Sequence, residues 1–171
     1  ILSTVISSVR VALKEPKNYD ARANIMWAGT LAHNNVVGVG REQEWSSHQL
    51  EHELSGLYDV AHGAGLAVVL PAFMRYQYKH NVMLFARLAV NVFGVKMDYE
   101  NPWRTALSGI DSLEAFLREI GLPTTFEQLG AKEEDIPALV EKCAFNNGDL
   151  LGYLNPLTRD DACELLRLAC E

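Results

Sequence analysis

The sequence predicts an all-α fold, a helical bundle. Apolar residues recur at three- and four-residue spacing through most of the 171 residues, which is the pattern of helices with one buried side. No segment shows the strict alternation of a half-buried strand. Hydrophobic residues make up 49% of the chain and charged residues 22%, a composition typical of a globular protein. We therefore expect a single helical domain over residues 1–171.

The first part of the chain predicts two helices. The first spans residues 1–13, where apolar side chains recur every four positions, and Pro16 is expected to end it because proline lacks an N–H donor. Asp20 is the predicted N-cap of the second helix, which runs to about residues 34–35. His33, near the end of this helix, is interpreted as a capping or packing residue.

Two helices are predicted in the stretch from Trp45 to Pro71. Ser46 or Ser47 is the expected N-cap of the first helix, and Gly56 and the pair Tyr58-Asp59 can end it. The second is predicted to start near His62 and to kink or start anew at Pro71. A short connection makes neighbouring helices antiparallel, so the second helix should return along the first.

Three of the five histidines lie in this stretch: His48, His52 and His62. His48 and His52 are four residues apart, so their rings share one face of a helix, and the antiparallel return brings His62 back toward His48. Imidazole is a common ligand for Zn²⁺ and Fe²⁺. The first His lacks the following Glu of a His-Glu-x-x-His metallopeptidase, so that class of enzyme is disfavoured.

Four further helices are predicted downstream, each with an apolar face. Their expected bounds are Val82–Phe93, Thr105–Ile120, Glu133–Phe145 and Thr158–Cys170. Gly94 is expected to end the first of them and Asn146-Asn147-Gly148 the third, while Thr158 should cap the last.

The bulk properties exclude several classes of partner. A formal net charge of −7 and a pI near 5.2 argue against binding nucleic acid or an anionic membrane. No apolar run is long enough to span a bilayer, and the N-terminus lacks a signal-peptide pattern. The three cysteines have no Cys-x-x-Cys spacing, which favours a reducing, cytoplasmic location.

Three runs of sequence resemble one known family. The central run is His48-x-x-x-His52-Glu53-Leu54-Ser55, then Tyr58-Asp59-x-x-His62-Gly63 and Leu66-Ala67-x-x-Leu70-Pro71. The other two are Asn18 to Ala28 and Asn155 to Asp161. They resemble the iron-containing (group III) alcohol dehydrogenases, and within them the butanol dehydrogenase branch, which reduces aldehydes with a nicotinamide cofactor.

The resemblance implies the C-terminal domain of a dehydroquinate-synthase-like, iron alcohol dehydrogenase fold. Members of the family begin with a nucleotide-binding α/β domain, and the first helix of their helical domain supplies an Asp and a His to the metal. Neither the α/β domain nor the helix that supplies the Asp and the His is recognisable here, and the chain opens on Ile1. We therefore expect the C-terminal part of a longer enzyme, with its N-terminal nucleotide-binding domain absent.

The resemblance also implies roles for the three histidines. His48 and His62 match two ligands of an Fe²⁺ or Zn²⁺ ion, and His52 matches a pocket histidine that serves as catalytic and cofactor-binding residue. The full-length enzyme, an expected homodimer, would transfer hydride between NAD(P)(H) and a primary alcohol or aldehyde. A catalytic metal usually has three protein ligands and a structural one four, and His48 and His62 are only two. We therefore expect residues 1–171 alone to be inactive and to bind metal weakly or not at all.

Two alternatives stay open. One is a self-standing, hemerythrin-like metal-binding bundle, in which carboxylates such as Glu51 or Asp59 complete the site. The other is a helical interaction module whose histidines only pack. Metal content of the isolated chain separates them, because the first predicts a full equivalent and the second none.

Overall fold

The computed structural model describes residues 1–145 and 148–171, and over these residues it confirms the all-α class. The described residues contain no β-strand, and a single antiparallel bridge joins Leu151 to Leu157. Every helix in them is too short or too polar to cross a membrane. The chain divides into two compact units, residues 1–43 and residues 44–171, and the expectation of a single domain stays a prediction.

The first unit contains two helices that pack on each other, α1 (Leu2–Lys14) and α2 (Tyr19–His33). The N-cap of α2 is Asn18, so the prediction of Asp20 was wrong. Asn18 has extended backbone, and its side-chain oxygen accepts the Ala21 N–H at 3.0 Å. Asp20 lies inside the first turn, where a carboxylate favours the positive end of the helix.

The second unit holds the remaining helices. They are α3 (Ser46–Tyr58), α4 (His62–Gln77), α5 (Val82–Phe93), α6 (Pro102–Glu119), α7 (Phe126–Leu129), α8 (Ile136–Lys142) and α9 (Arg159–Leu168), with 3₁₀ turns at Tyr78–His80 and Glu133–Asp135. The bounds of α5 are those predicted, with Gly94 in the left-handed conformation that ends it. Thr158 caps α9 in a reciprocal pair with Asp161, as predicted in part from the sequence.

Three of the four predicted downstream helices had wrong bounds. α6 begins at Pro102 and not at Thr105, because proline is pre-set for the first helical position. The segment predicted as one helix from Glu133 is a 3₁₀ turn followed by α8, which stops where Cys143 turns to extended backbone. α9 ends at Leu168. The predicted stop at Asn146-Asn147 lies outside the described residues.

The helices α3 and α4 form the hairpin that carries the histidines. Ser46 and Ser47 are buried first-turn residues of α3 and not its N-cap, which is Trp45. α3 continues through Gly56, one of the predicted stops, and ends at the other, Tyr58, followed by Asp59 in the left-handed conformation. α4 continues through Pro71 without a new start.

A shared apolar core fixes this hairpin against the other helices of the second unit. Its fully buried side chains include Leu50 and Leu54 of α3, Val69 of α4, Ile110 of α6, Leu139 of α8 and Leu165 of α9. Burying each such side chain contributes roughly 1.5–3 kcal/mol. The core therefore fixes the position of α3 and its rotation about the helix axis, and with them the direction of the side chains on its other face.

Candidate metal centre and adjoining pocket

The structure brings the three predicted histidines together. His48 and His52 project from one face of α3, and His62 is the first residue of α4. The ring centroids of His48 and His62 are 5.4 Å apart, and those of His52 and His62 are 5.2 Å apart. His52 and His62 are exposed and His48 is half-buried, so the cluster opens on one side to solvent.

His48 holds a polar atom that the fold buries and leaves without a partner. Among the described residues, nothing bonds to its buried Nδ1, and the ring of Trp45 packs edge-on against it with centroids 5.0 Å apart. Burial lowers the pKa of His48, the neighbouring His62 and His52 lower it further, and Glu51 partly opposes them. His48 is therefore held as neutral imidazole, the form that binds metal.

Glu51 lies within the histidine cluster, and the sequence interpretation considered it only as an alternative ligand. Its carboxylate is fully buried, and one oxygen pairs with Nδ1 of His62 while the other accepts from the Ser55 hydroxyl. A ligand atom of Glu51, one of His52 and one of His62 all lie within 4.8 Å of one another. Its spacing of three from His48 put it on the histidine face, which was the available signal.

The donor set fits a divalent transition metal. Three imidazoles lie close together, a fully buried carboxylate lies beneath them, and one imidazole carries an unpartnered buried nitrogen. Imidazole and carboxylate ligands suit both Fe²⁺ and Zn²⁺. The three residues whose possible ligand atoms lie within 4.8 Å of one another include His62 but not His48. The roles of His48, His52 and His62 therefore remain predictions.

A pocket of about 320 Å³ adjoins the histidines. Its walls come from α3 and from the loop before α9: Trp45, His48, Gln49, His52, Leu150, Gly152 and Tyr153. This volume lies at the small end of the range for small-molecule sites, roughly 300–1,000 Å³. The pocket therefore combines two of the predicted site histidines with apolar walls.

One carboxylate ties the two walls of the pocket. Glu44, just before α3, accepts the backbone N–H groups of Tyr153 at 2.7 Å, Leu154 at 2.8 Å and Ser46 at 2.9 Å. Burial by itself would raise the pKa of Glu44, but hydrogen bonds, first from Leu154 and then from Ser46 and Tyr153, outweigh it and lower the pKa. The sequence interpretation had missed this residue.

Comparison with known proteins identifies the family. The model of the Fe-containing alcohol dehydrogenase family, C-terminal, matches residues 1–170. The chain belongs to this family. The resemblance and the fold expected from the sequence are thereby confirmed.

The relatives of this chain are longer proteins. NADH-dependent butanol dehydrogenase A of Clostridium acetobutylicum is 31% identical over 168 residues, which are 98% of this chain and 43% of the relative. The NADPH-dependent aldehyde reductase YqhD of Escherichia coli is 34% identical over 160 residues, 94% of this chain and 41% of its own. The chain thus spans less than half the length of these relatives.

A solved structure shares the fold closely. The crystal structure of NADH-dependent butanol dehydrogenase A from Thermotoga maritima superposes with a TM-score of 0.91 at 37% identity, covering 99% of this chain and 44% of the other. The all-α architecture of these residues is therefore that of the corresponding part of an iron-containing alcohol dehydrogenase.

Proposed function

We propose that this chain is the metal-binding helical part of an NAD(P)H-dependent enzyme that interconverts a primary alcohol and its aldehyde. The observation that carries the proposal is the cluster of His48, His52 and His62 beside a small pocket, in a chain of the iron-containing alcohol dehydrogenase family. The names of the relatives, butanol dehydrogenase and aldehyde reductase, support the substrate class.

His48 and His62 are the proposed metal ligands. They come from adjacent helices, and their rings are 5.4 Å apart by centroid. When bound, an Fe²⁺ or Zn²⁺ ion would supply Lewis acidity toward the substrate oxygen. The burial of His48 keeps its ring neutral and its nitrogen available for this ion.

His52 is the proposed catalytic residue. It lines the pocket one helical turn from His48 and is exposed, so that substrate and nicotinamide can approach its ring. Histidine exchanges protons near neutral pH, and alcohol oxidation releases a proton that a positioned base can take. We assign that proton transfer, and contact with the nicotinamide side of the cleft, to His52.

The walls of the pocket position a small substrate. Trp45 and Leu150 present apolar surface next to His48 and His52, so an alkyl chain can lie against them with its oxygen toward the histidines. The small volume favours short aliphatic alcohols and aldehydes.

The remaining parts of the enzyme are proposed by family resemblance. The relatives are more than twice the length of the matched region, and we propose that an N-terminal nucleotide-binding domain supplies the NAD(P)H site and the further metal ligands. A homodimer and a cytoplasmic location belong to the same proposal.

A comparison of two purified proteins tests the function. One is the 171-residue chain, and the other is the joined chain, in which residues 1–171 follow the part of the Thermotoga maritima relative that precedes the match. Each is loaded with Fe²⁺ or Zn²⁺ and assayed for bound metal and for oxidation of NADH and NADPH with butanal. We expect only the joined chain, and not the 171-residue chain, to bind metal tightly and to be active.

Two results would overturn the proposal. A joined chain that folds and binds nicotinamide but does not reduce any short aldehyde would contradict the activity. A full equivalent of metal on the 171-residue chain alone would instead favour the self-standing metal-binding bundle.

A further inference from the structure

We propose that Glu51 is a positioning residue that fixes the ring of His62 and directs its Nε2 outward to a metal ion. The inference rests on the proposed function, since it concerns the same metal centre. The two residues it concerns are Glu51, which is not itself a ligand, and Gly65, whose lack of a side chain leaves space for Glu51.

Burial separates the roles of Glu51 and His62. The Glu51 side chain is 0% exposed, whereas the side chain of His62 is 48% exposed. The carboxylate therefore lies behind the imidazole, on the core side, and the outer side of the ring faces the open cluster. A charged carboxylate at that depth is stable only with its oxygens bonded, so its contacts are strongly determined.

Both carboxylate oxygens have protein partners. Oε2 pairs with Nδ1 of His62, and Oε1 accepts from the hydroxyl of Ser55, one turn further along α3. An ionised carboxylate only accepts hydrogen bonds, so Nδ1 of His62 carries the proton. The Nε2 atom of a neutral ring in that tautomer has a free lone pair, as a metal ligand requires.

The backbone of α4 leaves a space that the carboxylate fills. At Gly65, a Cβ atom would come within 2.8 Å of both Cγ and Cδ of Glu51 and closer still to Oε1. Glycine in the first turns of a helix costs about 1 kcal/mol relative to alanine. The close approach of Glu51 explains why this position carries none of the larger residues.

A direct ligand role for Glu51 fits these contacts less well. Its two oxygens already bond to His62 and Ser55, and it lies under the rings of the cluster and not at their open side. A histidine that binds a metal through one ring nitrogen usually donates the N–H of the other to such a carboxylate. Loss of that carboxylate weakens metal binding by roughly 10–100-fold.

The chain provides a matched pair of variants. Gly65→Ala places a methyl group against Glu51, whereas Gly63→Ala, two residues earlier in the same helix, meets no atom within 4 Å. Both changes add the same group and the same helix propensity. Any difference between them reports the displacement of the carboxylate.

The tautomer of His62 is measured first, on the metal-free 171-residue chain. Nitrogen-15 spectra of labelled histidine are recorded at rising pH until they stop changing, and His62 is assigned with His62→Gln. We expect the Nδ1–H tautomer in the unmodified chain and in Gly63→Ala, and a mixture in Gly65→Ala and Glu51→Gln. An Nε2–H tautomer in the unmodified chain, or no change in Gly65→Ala, would overturn the proposal.

Zinc affinity of the joined chain gives the second readout. Gly65→Ala and Glu51→Gln should bind Zn²⁺ about 10–100-fold more weakly than the unmodified protein, while Gly63→Ala and Glu53→Gln should match it. Complete loss of zinc with an unchanged His62 tautomer would make Glu51 a ligand and overturn the positioning role.

The two proposals fail in different ways. An unmodified joined chain that binds zinc with the expected His62 tautomer but reduces no aldehyde would contradict the proposed function and leave the role of Glu51 supported. An active joined chain in which Gly65→Ala and Gly63→Ala bind zinc equally would contradict only the positioning role.

Discussion

The carboxylate of Glu44 accepts the backbone N–H of Tyr153 at 2.7 Å, across 109 positions of the sequence. It accepts the N–H of Leu154 as well, and the N–H of Ser46 in the first turn of α3. The start of the histidine helix and the loop that closes the pocket therefore share one anchor. Removing the anchor should loosen the pocket without touching a histidine.

Glu44→Ala should lower the free energy of unfolding by about 1–3 kcal/mol, because backbone N–H groups lose their acceptor. The pKa of Glu44 is lowered in the folded chain, so its contribution is present above the ordinary value of 4.5 and is lost as the pH falls through the lowered value. Urea unfolding of Glu44→Ala and the unmodified chain should show a difference that shrinks with acidification below pH 4.5.

The control for this change is Glu42→Ala, which removes an exposed carboxylate two residues earlier. Its effect should stay within about 0.5 kcal/mol at every pH, as for surface substitutions generally. Equal losses for Glu42→Ala and Glu44→Ala would contradict the anchor.

Gly152→Ala should destabilise the pocket loop more than a backbone effect alone explains. Gly152 has a φ of +85°, and an added Cβ would lie 3.1 Å from Cδ of Glu44. Gly121 has a φ of +80° with no atom within 4 Å of the same position. Gly121→Ala should therefore cost only the left-handed strain, roughly 1–2 kcal/mol, and Gly152→Ala should cost more, measured by thermal unfolding. A smaller loss at Gly152 would refute the close fit.

Leu54→Ala tests how far the core supports the histidine face. Leu54 is 0% exposed and Leu57, on the same helix, is 46% exposed. Truncation of Leu54 should cost about 2–5 kcal/mol, whereas Leu57→Ala should stay within about 1 kcal/mol. Denaturant unfolding measures both, and similar losses would mean that α3 is not anchored through Leu54.

The roles of the histidines predict different outcomes for their alanine variants in the joined chain. His48→Ala and His62→Ala should lose metal and activity together. His52→Ala should keep its metal and lose roughly 10²–10⁴-fold in rate, the usual contribution of a positioned acid or base. Metal content and the rate of aldehyde reduction are measured on the same preparations.

His80→Ala is the control, since His80 is exposed in the 3₁₀ turn after α4, away from the cluster in sequence. It should leave metal and rate unchanged. Release of the metal by His52→Ala would refute the division of labour between His52 and the two ligands.

The sequence predicted the features that depend on local spacing. The shared face of His48 and His52 follows from the period of a helix, and the return of His62 follows from the short turn before α4. The helix α5 was predicted to its end residues because its apolar face and Gly94 agree. These are short-range signals, which a single sequence contains in full.

The missed features depend on partners far away in the chain or on local competition. The anchoring role of Glu44 depends on Tyr153, which no spacing rule connects to it. The pairing of Glu51 with His62 depends on the close approach of α3 and α4 at Gly65. The helix predicted to run to Phe145 was too long because apolar periodicity continues past Lys142. The backbone turns to an extended conformation at Cys143.

The walls of the pocket come from two kinds of backbone, a helix and a loop. The histidines stand on α3 and α4, whereas Leu150 and Tyr153 come from a loop that touches this hairpin through Glu44. Side chains of the loop can therefore be exchanged while the spacing of the rings is kept. Under the proposed function, positions 150 and 153 are the ones to vary for longer, shorter or more polar alcohols, with Glu44 and Gly152 left constant.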